Sequence, residues 1–167
     1  MRHIVLEGPD NGGKSTLARY LATRLHIPIL HSGGPEKEPG EINNRVRTFL
    51  DMRQLHIFDR HACISQEIYR KIRNTNNGAV DPTLIAEFYA SRPLLIYCRP
   101  LTEELGKGHI VKSDHDTEQH LVEIKDNYQR LLVMYDAWAS QHVSLIYRIG
   151  DDYDNIAGFV WRYKSLP

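Results

Sequence analysis

The residues most clearly equipped for chemistry stand near the start of the chain. Gly8-Pro9-Asp10-Asn11-Gly12-Gly13-Lys14-Ser15 fits G-x-x-x-x-G-K-[ST] at every fixed position. Glycines at those positions let the backbone curl until its N–H groups face phosphate oxygens. A lysine at that spacing reaches β and γ phosphates, and the serine after it is placed to ligand magnesium. Gly8, Asn11, Gly12, Gly13, Lys14, Ser15 and Thr16 are therefore the residues expected to bind ATP. A carboxylate, Asp59, closes a short apolar run, Leu55–Phe58. A site for magnesium and a nucleotide needs a carboxylate at such a place, so Ser15 and Asp59 are the expected metal residues and Lys14 and Asp59 the expected catalytic ones. The plain alternatives are a glycine-rich turn and a helix cap without chemistry.

These residues need a scaffold, and the hydrophobic pattern supplies one. Apolar runs at His3–Glu7, Pro28–His31, Leu55–Phe58, Leu94–Cys98 and Val143–Ile149 read as five strands. Helical periodicity fills the stretches between them: Ser15–Leu25, Glu41–Met52, the segment after Asp59 through about Arg73, the segment after Asp81-Pro82, Thr117–Ala139 and 152–163. Leu121, Ile124, Tyr128, Leu131, Tyr135 and Trp138 form the apolar stripe of the longest helix. Strands alternating with helices predict a three-layer α/β sandwich around a five-stranded parallel sheet, as one domain over 1–167. Ligands of such sheets sit at the carboxyl ends of the strands, where Glu7, His31, Asp59 and Cys98 fall. Residues 102–116 are polar, with Gly106 and Gly108, and read as a mobile lid.

Bulk composition narrows the partners. Of 167 residues, 21 are Lys or Arg and 21 are Asp or Glu, so no global field draws the chain to nucleic acid or membrane. One local window, 43–73, holds Arg45, Arg47, Arg53, Arg60, Arg70, Lys71 and Arg73 against Asp51, Asp59 and Glu67. Cys63 and Cys98 lie far apart and outside any metal spacing, as expected of a reducing cytoplasm. No signal-peptide pattern and no apolar run of membrane-spanning length is present. His109, His115 and His120 share a region but lack metal-site spacing.

At Glu7–Thr16 together with Asp59-Arg60-His61, the chain resembles the thymidylate kinase family, most of all its short bacteriophage members. In that family the loop reads E-G-x-D-G-x-G-K-S-T and the third strand ends in D-R-[YH]. The resemblance implies a nucleotide-kinase-like P-loop fold, ATP and Mg2+ as cofactors, a deoxynucleoside monophosphate as acceptor, and a cytoplasmic location, the host's if phage-encoded. It implies that Asp10 holds the acceptor's 3′-hydroxyl and that Arg60 meets acceptor phosphate or the transferring group. Phe49 and Arg53, four apart on the expected helix, resemble the family's base-stacking and base-reading pair, and Tyr69 falls on the substrate side. Three departures stand out. Asn11 replaces the family glycine, which asparagine's tolerance of left-handed backbone accommodates. The lid carries no arginine, so Lys107 or Lys112 is the candidate catalytic cation. Ser65 and Tyr69 come one residue late, and Arg70 replaces the usual glutamine.

Three functions compete. The first is a deoxynucleoside monophosphate kinase, whose anionic acceptor needs positioning rather than a strong base. The second is a kinase of a hydroxyl on nucleic acid, such as 5-hydroxymethyluracil in phage DNA, which needs a base from Asp59 or Asp10. The third is a P-loop NTPase that transfers nothing. No membrane partner is expected, and association with a second copy is left open.

Overall fold

A computed structural model of the chain describes residues 3–32, 36–75, 77–103 and 118–164. Five strands, β1 (Ile4–Glu7), β2 (Ile29–His31), β3 (Ile57–Asp59), β4 (Leu94–Arg99) and β5 (Leu145–Arg148), form one parallel sheet in the order β2-β3-β1-β4-β5. Among the described residues seven helices join and flank them: α1 (Lys14–Leu25), α2 (Glu41–Leu50), α3 (Ala62–Ile72), α4 (Pro82–Ala90), α5 (Glu118–Asp126), α6 (Tyr128–His142) and α7 (Tyr153–Lys164). The expected α/β sandwich with a five-stranded parallel sheet is the architecture observed.

Alternation along the central strands builds the layers. Val5, Phe58, Leu95 and Tyr97 point to the face covered by α2 through α6, where Val46, Ile68, Phe88, Leu131 and Tyr135 complete one core. Ile4, Leu6, Ile57, Ile96 and Cys98 point to the other face, against Leu17 and Leu21 of α1 and Ile156 and Val160 of α7. Both faces of β1, β3 and β4 are thus covered, which is why their sequences read as continuous apolar runs. Each fully buried Leu or Ile contributes roughly 1.5–3 kcal/mol of transfer free energy. That cohesion holds the sheet's carboxyl edge still. Register then sets the functional residues side by side: Leu6 pairs with Asp59, His31 with Asp59, and Glu7 with Tyr97.

Two helices differ from expectation. Helix α2 stops at Leu50, where Asp51 and Met52 donate to the carbonyls of Arg47 and Phe49. Arg53 is therefore outside the helix and exposed. The single helix expected over Thr117–Ala139 is broken at Asn127. Its side-chain amide, like its own backbone N–H, donates to the Glu123 carbonyl, which separates α5 from α6. Most of the lid expected over 102–116, including Lys107 and Lys112, lies outside the described residues. Among the described residues no helix is long and apolar enough to cross a membrane.

Candidate active site

The turn leaving β1 is shaped by β4 beneath it. Gly8 and Gly12 both rest on the carbonyl oxygen of Cys98, and a Cβ on either would run into it. Asn11 adopts φ 62° and Gly13 φ 80°, so the loop makes two left-handed steps before α1 begins. Asparagine supplies the first of these where the resembled family has glycine. The loop curls around Lys14, whose Nζ donates to the carbonyls of Gly8 at 2.9 Å and Pro9 at 2.6 Å. Lys14 is buried. Burial, with Arg60 adding repulsion, lowers its ammonium from 10.5 to about 8. A buried cation held only by carbonyls is a poor ground state, which an anionic partner would relieve.

On one side of the loop lies the candidate metal site. Ser15 Oγ donates to Asp59 Oδ2 at 2.6 Å, and His31 Nδ1 lies 3.5 Å from the same oxygen. Sequence reading noted His31 only as a strand end; its adjacency to Asp59 follows from the β2–β3 register. Hard oxygen donors on Ser15 and Asp59 suit Mg2+. Among the described residues no group of three or more His, Cys, Asp or Glu is arranged to hold a metal alone. Phosphates and water would have to complete the shell.

On the other side lies a second cluster, centred on Asp10. Arg60 Nη2 donates to Asp10 Oδ1 at 2.7 Å and the Tyr69 hydroxyl to Asp10 Oδ2 at 2.6 Å. The Tyr128 hydroxyl donates to the Asp10 carbonyl at 2.6 Å, which ties α6 to the phosphate loop. Arg60 lies 5.0 Å over the Tyr69 ring. Its backbone is left-handed, φ 73°, with its N–H on the Leu6 carbonyl at 3.0 Å. That conformation costs an arginine on the order of 1–2 kcal/mol and aims its side chain back at the loop. Burial alone would raise the Asp10 carboxyl, but Arg60, Lys14 and the Tyr69 hydroxyl outweigh it and hold it below the ordinary range. Asp10 is thus a fixed anion and acceptor, and a weak base.

Beneath both clusters Glu7 is fully buried. It accepts from the His61 N–H at 2.6 Å, the Tyr135 hydroxyl at 3.1 Å and the Gly8 N–H at 3.3 Å. Burial pushes its carboxyl up, against the pull of Arg60, the His61 N–H, Lys14 and Tyr135. Glu7 therefore joins the loop to α3 and α6 rather than meeting a ligand. Tyr128 and Tyr135 sit on the apolar stripe of their helix, which hid their polar ends from sequence reading.

Other expected residues go elsewhere. Phe49 is buried with its ring edge-on to Phe58 at 5.0 Å and tilted against His61 at 5.7 Å. The segment carrying Arg53 runs back to the amino end of the sheet, where Ile4 donates to the His56 carbonyl. Phe49 and Arg53 do not share a helix face, because α2 ends before Arg53. His61 caps α3 through Nδ1, which accepts from the Cys63 N–H, and stacks on Phe88 at 4.3 Å. Ser65 back-bonds to the His61 carbonyl within α3. Thr16 is exposed at the start of α1. Burial pushes the thiols of Cys63 and Cys98 up to about 12, which leaves neither nucleophilic. Arg99, at the end of β4, is committed to Asp136 through Nε at 2.9 Å and Nη2 at 3.0 Å.

No family model matches the chain, and neither does any curated protein. Solved structures do match. The YorR protein from Bacillus subtilis, in complex with phosphorylated GDP, is similar at 20% identity over 98% of this chain and 96% of its own, with a TM-score of 0.74. Shikimate kinase from Acinetobacter baumannii, in complex with shikimate, is similar at 18% identity over 100% and 96%, with a TM-score of 0.60. Deoxyadenosine kinase from M. mycoides with bound dATP is similar at 17% identity over 98% and 100%, with a TM-score of 0.59. At such identities the likeness is one of fold: the chain has the P-loop, nucleotide-kinase-like α/β fold.

Proposed function

We propose that the protein is an ATP- and Mg2+-dependent phosphotransferase whose acceptor is a nucleotide, most plainly a deoxynucleoside monophosphate. One observation carries this reading. Asp10, a residue of the phosphate loop itself, is bonded to Arg60 and Tyr69, so an acceptor held there lies beside the donor's terminal phosphate. Lys14 and the loop N–H groups would hold the β and γ phosphates of ATP. Ser15 and Asp59 would hold Mg2+, which when bound neutralises charge on the phosphates. Arg60 would neutralise the acceptor phosphate, and Asp10 would orient a sugar hydroxyl.

The state of Asp10 favours a phosphate acceptor over a hydroxyl. A hydroxyl must lose its proton, and a carboxylate already engaged by Arg60 and Tyr69 is ill suited to take it. A phosphate needs no such base. The neutral overall charge points the same way, since a DNA substrate calls for a wide basic surface. The test is transfer from ATP to deoxynucleoside monophosphates against natural and hydroxymethyl-containing DNA. Labelled DNA with no labelled nucleotide would replace the first reading with a nucleic-acid hydroxyl kinase. Release of phosphate with no labelled acceptor would replace it with an NTPase.

A further inference from the structure

Between α2, α3 and α5 the structure holds a cavity of about 810 Å³, lined by no residue of the phosphate loop. The amino end of α2 with the 36–40 segment before it forms one wall, the end of α3 with Thr75 and 77–79 another, and Glu123 of α5 also lines it. Arg73, just past the end of α3, lines this cavity. Its guanidinium lies 5.7 Å over the same Tyr69 ring that Arg60 approaches at 5.0 Å. Its Nε is shielded from solvent and meets no hydrogen-bond partner among the described residues. Arg70 lines the same cavity and shares a shielded Nε, but its two Nη atoms are spent on the Thr75 carbonyl and Glu67.

A guanidinium held on an aromatic ring with a shielded, unmatched donor is poised for an anion, and its fork geometry suits phosphate. Glu36, Glu38 and Glu123 also line the cavity, so it is no general anion trap. Those carboxylates, with Gln66, suit the N–H donors of a base. The combination fits a nucleotide longer by one phosphate than the acceptor Arg60 alone would hold.

We propose that Arg73 forms a second anion subsite of the acceptor site, one side chain beyond Arg60, which takes a second phosphate. That phosphate belongs either to a nucleotide phosphorylated at two positions or to the next residue of a strand. The inference rests on the acceptor lying at the Asp10–Arg60 side of the loop.

Calorimetric titration without ATP tests it. The probes are a deoxynucleoside 5′-monophosphate, its 3′,5′-bisphosphate, and a 5′-phosphorylated dinucleotide and octanucleotide. For the unmodified protein the bisphosphate should bind about tenfold tighter than the monophosphate, the effect of one charge-assisted contact. In Arg73→Gln that ratio should fall to near one, and in Arg73→Lys it should be intermediate. Because the ratio is internal to each protein, a general loss of fold does not mimic the result. A ratio near one in the unmodified protein, or one unchanged in Arg73→Gln, overturns the subsite. An octanucleotide that binds tighter still, with a steep salt dependence, assigns the second phosphate to a strand; no gain with length assigns it to a free nucleotide. Transfer from ATP to the monophosphate is measured separately, so failure of the kinase reading is distinguishable from failure of the subsite.

Discussion

Lys14 is uncomfortably placed. Its buried ammonium has only carbonyl partners, and burial followed by Arg60 lowers it to about 8 against 10.5 in an unfolded chain. Between those pH values the unfolded chain holds more protons than the folded one, so stability should rise with pH through that window, by on the order of 3 kcal/mol. Lys14→Met should lack the rise, be no less stable than the unmodified protein at pH 7, and lose transfer by orders of magnitude. Urea unfolding at pH 7.5 and 10 reads the first two; an equal rise in both proteins would show that Lys14 is not the strained group. At Asp59, replacement by Asn should lower activity across the whole pH range, because it removes the partner of Ser15 and the expected magnesium residue. An active Asp59→Asn protein with unchanged magnesium dependence would take that role away. Tyr69→Phe removes the hydroxyl that fixes Asp10 and should weaken acceptor binding by roughly 1 kcal/mol while sparing ATP; equal loss of both would point to damage to the loop.

At the scale of elements, what was legible in the sequence is what local chemistry dictates. The loop from Gly8 to Ser15 and the Asp59-Arg60 pair were readable because a phosphate cradle and a strand-end carboxylate demand fixed residues at fixed spacing. The inner strands β1, β3 and β4 were readable because burial on both faces leaves uninterrupted apolar runs, and the partly exposed edge strands β2 and β5 because short apolar runs recur between the helices. The α2 terminus was not, since nothing between Leu50 and Arg53 forbids another turn; the chain leaves the helix to reach the amino end of β3. The break at Asn127 depends on one side-chain amide competing for a carbonyl, a choice the apolar stripe does not register. Tyr128 and Tyr135 were read as core, which they are, but their hydroxyls reach Asp10 and Glu7. His61 shows the same double use. It caps α3 in its neutral form, and burial lowers it from 6.5 to about 3, with His3 adding to the effect. As pH falls from 6.5 towards 3 the unfolded chain takes up a proton that the folded chain refuses, so stability is lost by on the order of 5 kcal/mol. His61→Phe should flatten that part of the pH–stability curve. An unchanged slope would mean that His61 charges without opening the fold.

Across the whole molecule, the parallel sheet gathers the ends of β1, β2, β3 and β4 at one edge, with the metal candidates on one side of the phosphate loop and the acceptor candidates on the other. Ligand binding to the folded state alone should stabilise it. ATP with magnesium should therefore raise the unfolding temperature of the unmodified protein and leave that of Lys14→Met nearly unmoved. A chain without net charge should bind a mononucleotide acceptor with only a mild dependence on salt. The claim at the centre, that the loop donates phosphate to a nucleotide held at Asp10 and Arg60, is tested most directly by following labelled γ-phosphate from ATP, in magnesium, across a panel of deoxynucleoside and ribonucleoside monophosphates. A labelled nucleoside diphosphate is the expected product, and it should be lost by orders of magnitude in a folded Lys14→Ala protein. Near-normal transfer by that variant, or no labelled nucleotide from any acceptor, would contradict it.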